Sequence, residues 1–305
     1  MEEDRDERLR ASGFAYLRSL TARSGGVVTR AELESFTFEG ARFPLIERQR
    51  GIRKAAGFDA AVSLMTTFAE RPELRPYDDW IDENGYLHYK WKGTDSSSFD
   101  NRAVRASMQQ GKPIIYLVGV APGVYEPVVP AWVVDEDPEL HEFIVADDEI
   151  MRDAWSDAPF HPADIARHRE YVERVVKRRL HQPFFRRDVI AAYTTRCSMC
   201  RLRHPELLDA AHIKRDVDGG EPVVTNGLAM CAIHHRAFDA HLLGIRSDYV
   251  VEVRKSVLEE RDGPTLLYAL QGLHQAPLAV VPRRSILQPD RSLLEQRYEL
   301  FRLAG

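Results

Sequence analysis

Cys197-Ser-Met-Cys200, Leu208-Asp209-Ala-Ala-His212-Ile213, Thr225-Asn226-Gly-Leu228 and Cys231-Ala-Ile-His234-His235-Arg-Ala-Phe-Asp239 follow one another within 43 residues. The outer pieces are C-x2-C and C-x2-H, thirty residues apart. Tight turns of that spacing each present two ligands, and zinc prefers four tetrahedral sulfur or nitrogen donors. A site of Cys197, Cys200, Cys231 and His234 uses all three cysteines of the chain. An odd cysteine count confined to one short stretch does not suggest disulfides. A closed four-ligand site has no open position, so this zinc is expected to hold the fold and leave the chemistry to other groups.

The pieces between and after the knuckles carry reactive side chains. His235 and Asp239 stand four apart, hence on one face of a helix. His235 also adjoins His234 and is an alternative zinc ligand. In order and spacing this stretch resembles the HNH nuclease family, the ββα-metal fold, over roughly residues 186 to 245. The resemblance implies hydrolysis of phosphodiesters, which needs an activated water, neutralised phosphate charge and a stabilised leaving oxygen. It gives His212 the part of general base and Asn226, placed between the second strand and the helix, the part of orienting that imidazole. It also implies a divalent ion at the scissile phosphate, with ligands from the first strand and the helix. Many members carry His or Asp just before the base, where this chain has Ala211. Asp209, two residues earlier and on the same side of a strand, takes that place. The set Asp209, His235 and Asp239 contains oxygen donors and favours Mg²⁺ or Mn²⁺.

The 305 residues allow two domains, and 44% hydrophobic with 29% charged residues is a globular composition. No apolar run reaches membrane-spanning length. The acidic start, Met-Glu-Glu-Asp, does not fit a secretory signal, so a cytoplasmic location is expected. A net charge of −5 argues mildly against nucleic-acid binding, but distribution matters more than the total. Residues 167 to 203 hold eleven Arg and Lys against three Asp and Glu. Such a run is either a solvated helix face or a DNA-contacting stretch leading into the site.

The N-terminal part reads as short elements. Phe14 to Leu20 suits a helix stopping at Ser24-Gly25-Gly26. Thr29 with Glu32 three residues on is a capping-box signal. Phe36 to Phe43 reads as strand, turn, strand, and Phe58 to Phe68 fits either helix or strand. Strands are expected at Leu87 to Trp91, Pro113 to Val120, Val128 to Val134 and Glu142 to Ala146, with a helix at Asn101 to Gln110 ended by Gly111. Pro162 to Leu180 reads as a linker helix ended by Pro183. Beyond residue 256 come strand remnants and helices, with Leu294 to Leu303 the clearest amphipathic piece.

Gly51-Ile52-Arg53, Tyr77-Asp-Asp79, Tyr89-Lys-Trp91-Lys-Gly93, Asp100-Asn101-Arg102-Ala103-Val104 and Gly111-Lys-Pro113-Ile114 together resemble the SRA family of modified-cytosine readers, within the PUA-like superfamily. The resemblance covers roughly residues 48 to 146. It implies a flipped 5-methyl- or 5-hydroxymethylcytosine stacked between Tyr77 and Trp91, its edge read by Asp79 (or Asp78), with Lys90 and Lys92 near phosphates. These aromatics also suit the core of a β-barrel.

The expected architecture is α+β. Residues 1–150 form an SRA/PUA-like twisted barrel with helices, 151–181 a linker helix, and 182–305 an HNH domain with structural zinc and C-terminal helices. The expected partner is double-stranded DNA with modified cytosine, cut as by SRA–HNH modification-dependent restriction endonucleases. One HNH site cuts one strand, so a double-strand break implies a homodimer. The alternatives are an HNH nuclease with another sequence, modification or RNA specificity, and a non-catalytic DNA-binding protein.

Overall fold

The computed structural model describes residues 2–47, 50–69, 80–82, 85–147, 149, 152, 177–261 and 263–304. They fall into two compact units, the first of Met1–Phe68 with Arg75–Pro183 and the second of Phe184–Gly305 with Ala69–Leu74. The architecture is mixed α+β. Among the described residues no helix is long and apolar enough to cross a membrane.

The first unit opens on α1 (Glu2–Ser24), a helix of 23 residues. It extends well beyond Phe14 to Leu20 because its charged first turns dock through an arginine. Arg10 is buried, bonded to Asp6 at 3.1 Å and to the carbonyls of Ala61 and Pro113 at 2.9 and 2.6 Å. β1 (Val28–Thr29) and α2 (Arg30–Ser35) follow, joined by the expected capping box. The Glu32 amide donates to the Thr29 hydroxyl at 3.3 Å, and the Thr29 amide to the Glu32 carboxylate at 2.7 Å. The hairpin of β2 (Thr37–Phe38) and β3 (Ala41–Arg42) comes next, as its sequence indicates.

The large sheet takes β4 (Ile52–Lys54), β5 (Ala61–Met65), β6 (Trp80–Ile81), β7 (Leu87–Lys90), β8 (Ile114–Ala121), β9 (Val124–Asp137) and β10 (Glu142–Ala146). Their order is β4-β5-β8-β9-β10-β7-β6, with β1 paired to β9. The stretch that fits helix or strand is the strand β5, parallel to β8. Four of its five residues are buried, and a strand covered on both faces shows no alternation to read. The 14-residue β9 pairs first with β8 and then with β10, so it carries the chain from one half of the sheet to the other. Among the described residues the expected barrel does not close: β4 and β6 end the sheet at opposite sides and do not pair with each other. The helix expected at Asn101 to Gln110 is α3 (Phe99–Gln109), capped by Ser98 and released at Gly111 with φ 60°. Leu17, Leu33, Leu45, Ile115 and Leu117 centre the core beneath the sheet.

The second unit begins in α4 (Lys177–Ala192), which runs straight through Pro183. Proline removes one backbone donor and usually ends a helix. Here Phe184, Phe185, Val189 and Ile190 are buried on the far side of it, and their packing holds the helix together. The rest of the expected linker, 162–176, lies outside the described residues. β11 (Leu208–His212) and β12 (Gly227–Cys231) form an antiparallel hairpin, with Leu208 opposite Cys231 and His212 opposite Gly227. α5 (Ala232–Asp239) follows at once. A second hairpin of β13 (Leu243–Ile245) and β14 (Val251–Val253) leads to the short helices α6 (Lys255–Glu259) and α7 (Pro264–Ala269). The unit closes on α8 (Arg291–Ala304), which buries Leu294, Arg297 and Phe301.

Candidate active site and metal centre

The two knuckles meet at one end of the β11–β12 hairpin. The Ser198 amide donates to the Ala229 carbonyl at 2.7 Å, which fastens the first knuckle to β12, while the second caps the start of α5. The Sγ atoms of Cys197, Cys200 and Cys231 and a ring nitrogen of His234 all lie within 4.8 Å of one another. His234 Nδ1 is 3.3 Å from Cys197 Sγ and 3.2 Å from Cys231 Sγ. Its other nitrogen, Nε2, donates to the Ala269 carbonyl at 2.7 Å. That bond fixes the tautomer and leaves Nδ1 as the ligand, the usual arrangement behind a zinc-bound histidine. The donors fit tetrahedral zinc, and His234 rather than His235 belongs to them.

His235 faces the other way along α5. Its Nδ1 lies 3.0 Å from Asp209 Oδ2 on β11, and its Nε2 lies 3.2 Å from Asp239 Oδ2 one turn on. Burial pulls the imidazole down, but the hydrogen bonds to the two carboxylates outweigh it and His235 is pushed up to about 9. Burial in turn raises both carboxyl groups, and the His235 bond together with the nearby charges of His235 and of Arg186 or Arg297 offsets this, holding each below its ordinary range. The donor chemistry is that of a hard-cation site, two carboxylates and an imidazole. The three residues are strung along the ring rather than gathered round one point. Ala211, the position where the family more often has a ligand, is fully buried.

His212 ends β11 beside this chain. Its ring stacks on Phe185 of α4, centroids 4.1 Å apart and 20° between planes. No side-chain hydrogen bond to it occurs among the described residues. Burial, the largest influence, pulls it below its ordinary 6.5, against the pull of Asp216. Burial thus favours the neutral imidazole, the form that accepts a proton. The acid limb of the cleavage rate is therefore expected below pH 6.5, with activity lost as pH falls through the lowered value and His212 takes up a proton. A rate profile on DNA with a midpoint above that value would count against His212 as base.

Asn226 departs from its expected part. It precedes β12 rather than following it, and its amide does not meet His212. The Lys214 amide donates to its Oδ1 at 2.8 Å, and its Nδ2 donates to the Lys214 and Glu221 carbonyls at 3.0 and 2.8 Å. The Ile213 amide donates to its backbone carbonyl at 2.9 Å. Asn226 is a buried clamp on the loop joining the two strands, and it holds His212 through that loop. Two glycines permit this closeness. A Cβ on Gly220 would sit 1.9 Å from the Lys214 carbonyl oxygen, and one on Gly227 would sit 2.3 Å from Val189 and 2.9 Å from Phe185.

Three residues of the site were not picked out by the sequence reading. Phe185 and Arg186 lie inside the basic stretch, in the pair Phe184-Phe185 followed by Arg186-Arg187. Arg186 is turned inward, 3.5 Å from Asp209 and bonded to the Leu208 carbonyl, and Arg187 pairs with Asp188 at 2.9 Å. The third, Arg297, is a cation at a buried position of α8 between Leu294 and Phe301. A charge on the apolar face of an amphipathic helix is the signal that marks it.

The first unit holds a separate cavity of about 400 Å³, lined by Arg30, Arg50, Phe68, Tyr89, Lys92 and Tyr125 among others. Trp91, expected in a base pocket, is instead a core residue, 4% exposed, tilted against His141 and Phe143. Tyr89, two residues earlier, lines the cavity. Lys90 and Lys92 are paired with Glu142 and Asp100 at 2.6 and 2.5 Å. Tyr77, Asp78 and Asp79 lie outside the described residues.

Residues 197–246 match the model of a family described as HNH endonuclease, so the chain carries an HNH endonuclease domain. No curated protein matches the chain. Among solved structures it is similar to one titled "Modification dependent TagI restriction endonuclease", at 18% identity and a TM-score of 0.30 over 82% of this chain and 85% of that one. It is also similar to "Structure of the Type IV phosphorothioation-dependent restriction endonuclease ScoMcrA", at 14% identity and a TM-score of 0.25 over 63% of this chain and 48% of that one.

Proposed function

We propose that this HNH endonuclease domain hydrolyses DNA phosphodiesters in a chain whose first unit selects DNA carrying 5-methyl- or 5-hydroxymethylcytosine. The observation that carries the hydrolytic part is His212, held below its ordinary range by burial and without a side-chain hydrogen bond among the described residues, beside the Asp209–His235–Asp239 chain. His212 takes the proton of the attacking water, and Phe185 keeps the imidazole in place and partly dry. Asn226 holds the loop that ends at His212. Asp209, His235 and Asp239 would hold a divalent ion, Mg²⁺ or Mn²⁺. Such an ion supplies a Lewis acid for the phosphate and neutralises charge at the departing oxygen.

Selection of a modified base rests on the resemblance of residues 48–146 to SRA readers and on the cavity lined by Tyr89. Its volume exceeds what one base needs, and its lining includes the aromatic Phe68, Tyr89 and Tyr125 for the base and Arg30 and Arg50 for the backbone. Tyr89, though only 6% exposed, lines that cavity and takes the stacking part in place of Trp91, while Tyr77 and Asp79 keep the parts that the resemblance gives them. On this reading the substrate is double-stranded DNA, and two protomers cut the two strands.

Matched plasmids carrying cytosine, 5-methylcytosine, 5-hydroxymethylcytosine and its glucosylated form separate the possibilities, digested across a series of divalent metals. The modified plasmids are expected to be cut and the unmodified one spared. Equal cleavage of all four would sink the selection. Tyr89→Ala is expected to abolish the preference between plasmids while His212-dependent cleavage at high enzyme concentration persists.

A further inference from the structure

The HNH match spans residues 197–246, yet the carboxylates flanking His235 are each met by an arginine from outside it, Arg186 before and Arg297 after. We propose that Arg186 of α4 and Arg297 of α8 are positioning residues that aim Asp209 and Asp239 at the candidate metal site, which extends the hydrolytic reading above and rests on it. The two halves of the arrangement correspond. Asp239 Oδ2 meets His235 Nε2 at 3.2 Å, and its Oδ1 meets an Arg297 terminal nitrogen at 3.3 Å. Asp209 Oδ2 meets His235 Nδ1 at 3.0 Å, and its Oδ1 accepts from the Ala210 amide at 2.9 Å with Arg186 at 3.5 Å. Each carboxylate thus has one oxygen turned to the histidine and one occupied from behind. A carboxylate on a strand or a helix end otherwise rotates freely about its last bond.

Arg297 is built for this use. It is 4% exposed and lies over the Phe238 ring at 4.8 Å. The nitrogen that meets Asp239 also donates to the Phe238 carbonyl at 3.3 Å, so the guanidinium is anchored to the end of α5 that it orients. Its Nε is buried without a partner among the described residues. Burying a cation is costly, and Asp239 is the acid it is buried against. α8 is seated independently of that pair. The Asp290 amide donates to the Thr225 carbonyl at 2.8 Å, and Phe301 closes on Gly244, where a Cβ would come within 2.6 Å.

Mn²⁺ binding to the zinc-loaded full chain, followed by electron paramagnetic resonance, tests the proposal. Arg297→Met and Arg186→Met are each expected to weaken Mn²⁺ binding by about 10–100-fold, the usual effect of removing a group that orients a ligand. Zinc content and thermal midpoint serve as controls for the fold. Arg297→Lys, which keeps the charge but not the fork, is expected to fall between wild type and Arg297→Met. Removing a repelling charge alone would tighten Mn²⁺, so unchanged or tighter binding in a folded Arg297→Met overturns the proposal. Should that variant not fold, unchanged binding in both Arg186→Met and Arg297→Lys overturns it instead. Asp239→Asn isolates the reading beneath. Unchanged Mn²⁺ binding there overturns the metal assignment itself, whereas loss there with none in Arg297→Met overturns only the positioning role.

Discussion

Replacing His212 by alanine is expected to lower the cleavage rate by about 10²–10⁴-fold, the range that a positioned general base contributes. The fold should survive. The ring removed is stacked on Phe185 and makes no side-chain hydrogen bond among the described residues, and an aromatic pair contributes on the order of 1 kcal/mol. Typical domains have about 5–15 kcal/mol of stability to lose. Zinc content, melting behaviour and DNA binding should therefore match wild type while product formation does not. Cleavage at the wild-type rate by a pure, zinc-loaded variant would remove His212 from the mechanism. Asn226→Ala should behave differently. It leaves the Lys214 amide and carbonyl and the Glu221 carbonyl without their partners, so stability and activity should fall together.

Removing the zinc is expected to unfold the second unit. Structural zinc contributes about 10–16 kcal/mol in small peptides near neutral pH, as much as a whole domain's margin. This unit has little to replace it. Its sheets are two-stranded hairpins, and α5 spans eight residues. Cys231→Ser deletes a ligand that also begins α5, so His235 and Asp239 lose their support along with the metal. Circular dichroism during titration with a zinc chelator should show loss of ordered structure in step with zinc release and with loss of nuclease activity. Activity that persists in zinc-free protein at saturating Mg²⁺ would show that the knuckles are dispensable.

The second unit was legible because its chemistry is written in local spacing. Two x2 knuckles, an Asp209-to-His212 strand and an i, i+4 pair on a helix specify neighbours without any long-range knowledge. What the sequence concealed arrives from a distance. Phe185 and Arg186 sit in a basic run that reads as solvated, and Arg297 comes from a helix almost sixty residues after Asp239. Asn226 was found by its place in the motif, but its bonds to the loop depend on how Lys214 to Glu221 folds back. In the first unit, strand positions followed apolar runs well. Sheet closure did not, since pairing at β4 and β6 leaves no mark in periodicity. Tyr89 and Trp91 show the same limit. Both are buried, at 6% and 4% exposed, yet Tyr89 lines the cavity while Trp91 packs against His141 and Phe143, and nothing in the pattern separates them.

The bond from Arg297 to Asp239 also says something about time. During synthesis the knuckles, the hairpin and α5 leave the ribosome well before α8 does. A nascent chain can therefore take up zinc and complete every residue of the HNH motif while Asp239 still lacks its arginine. On the positioning role proposed for Arg297, full cutting competence would come only with α8, so a product truncated before it is expected to keep the four candidate zinc ligands and to bind the catalytic ion weakly.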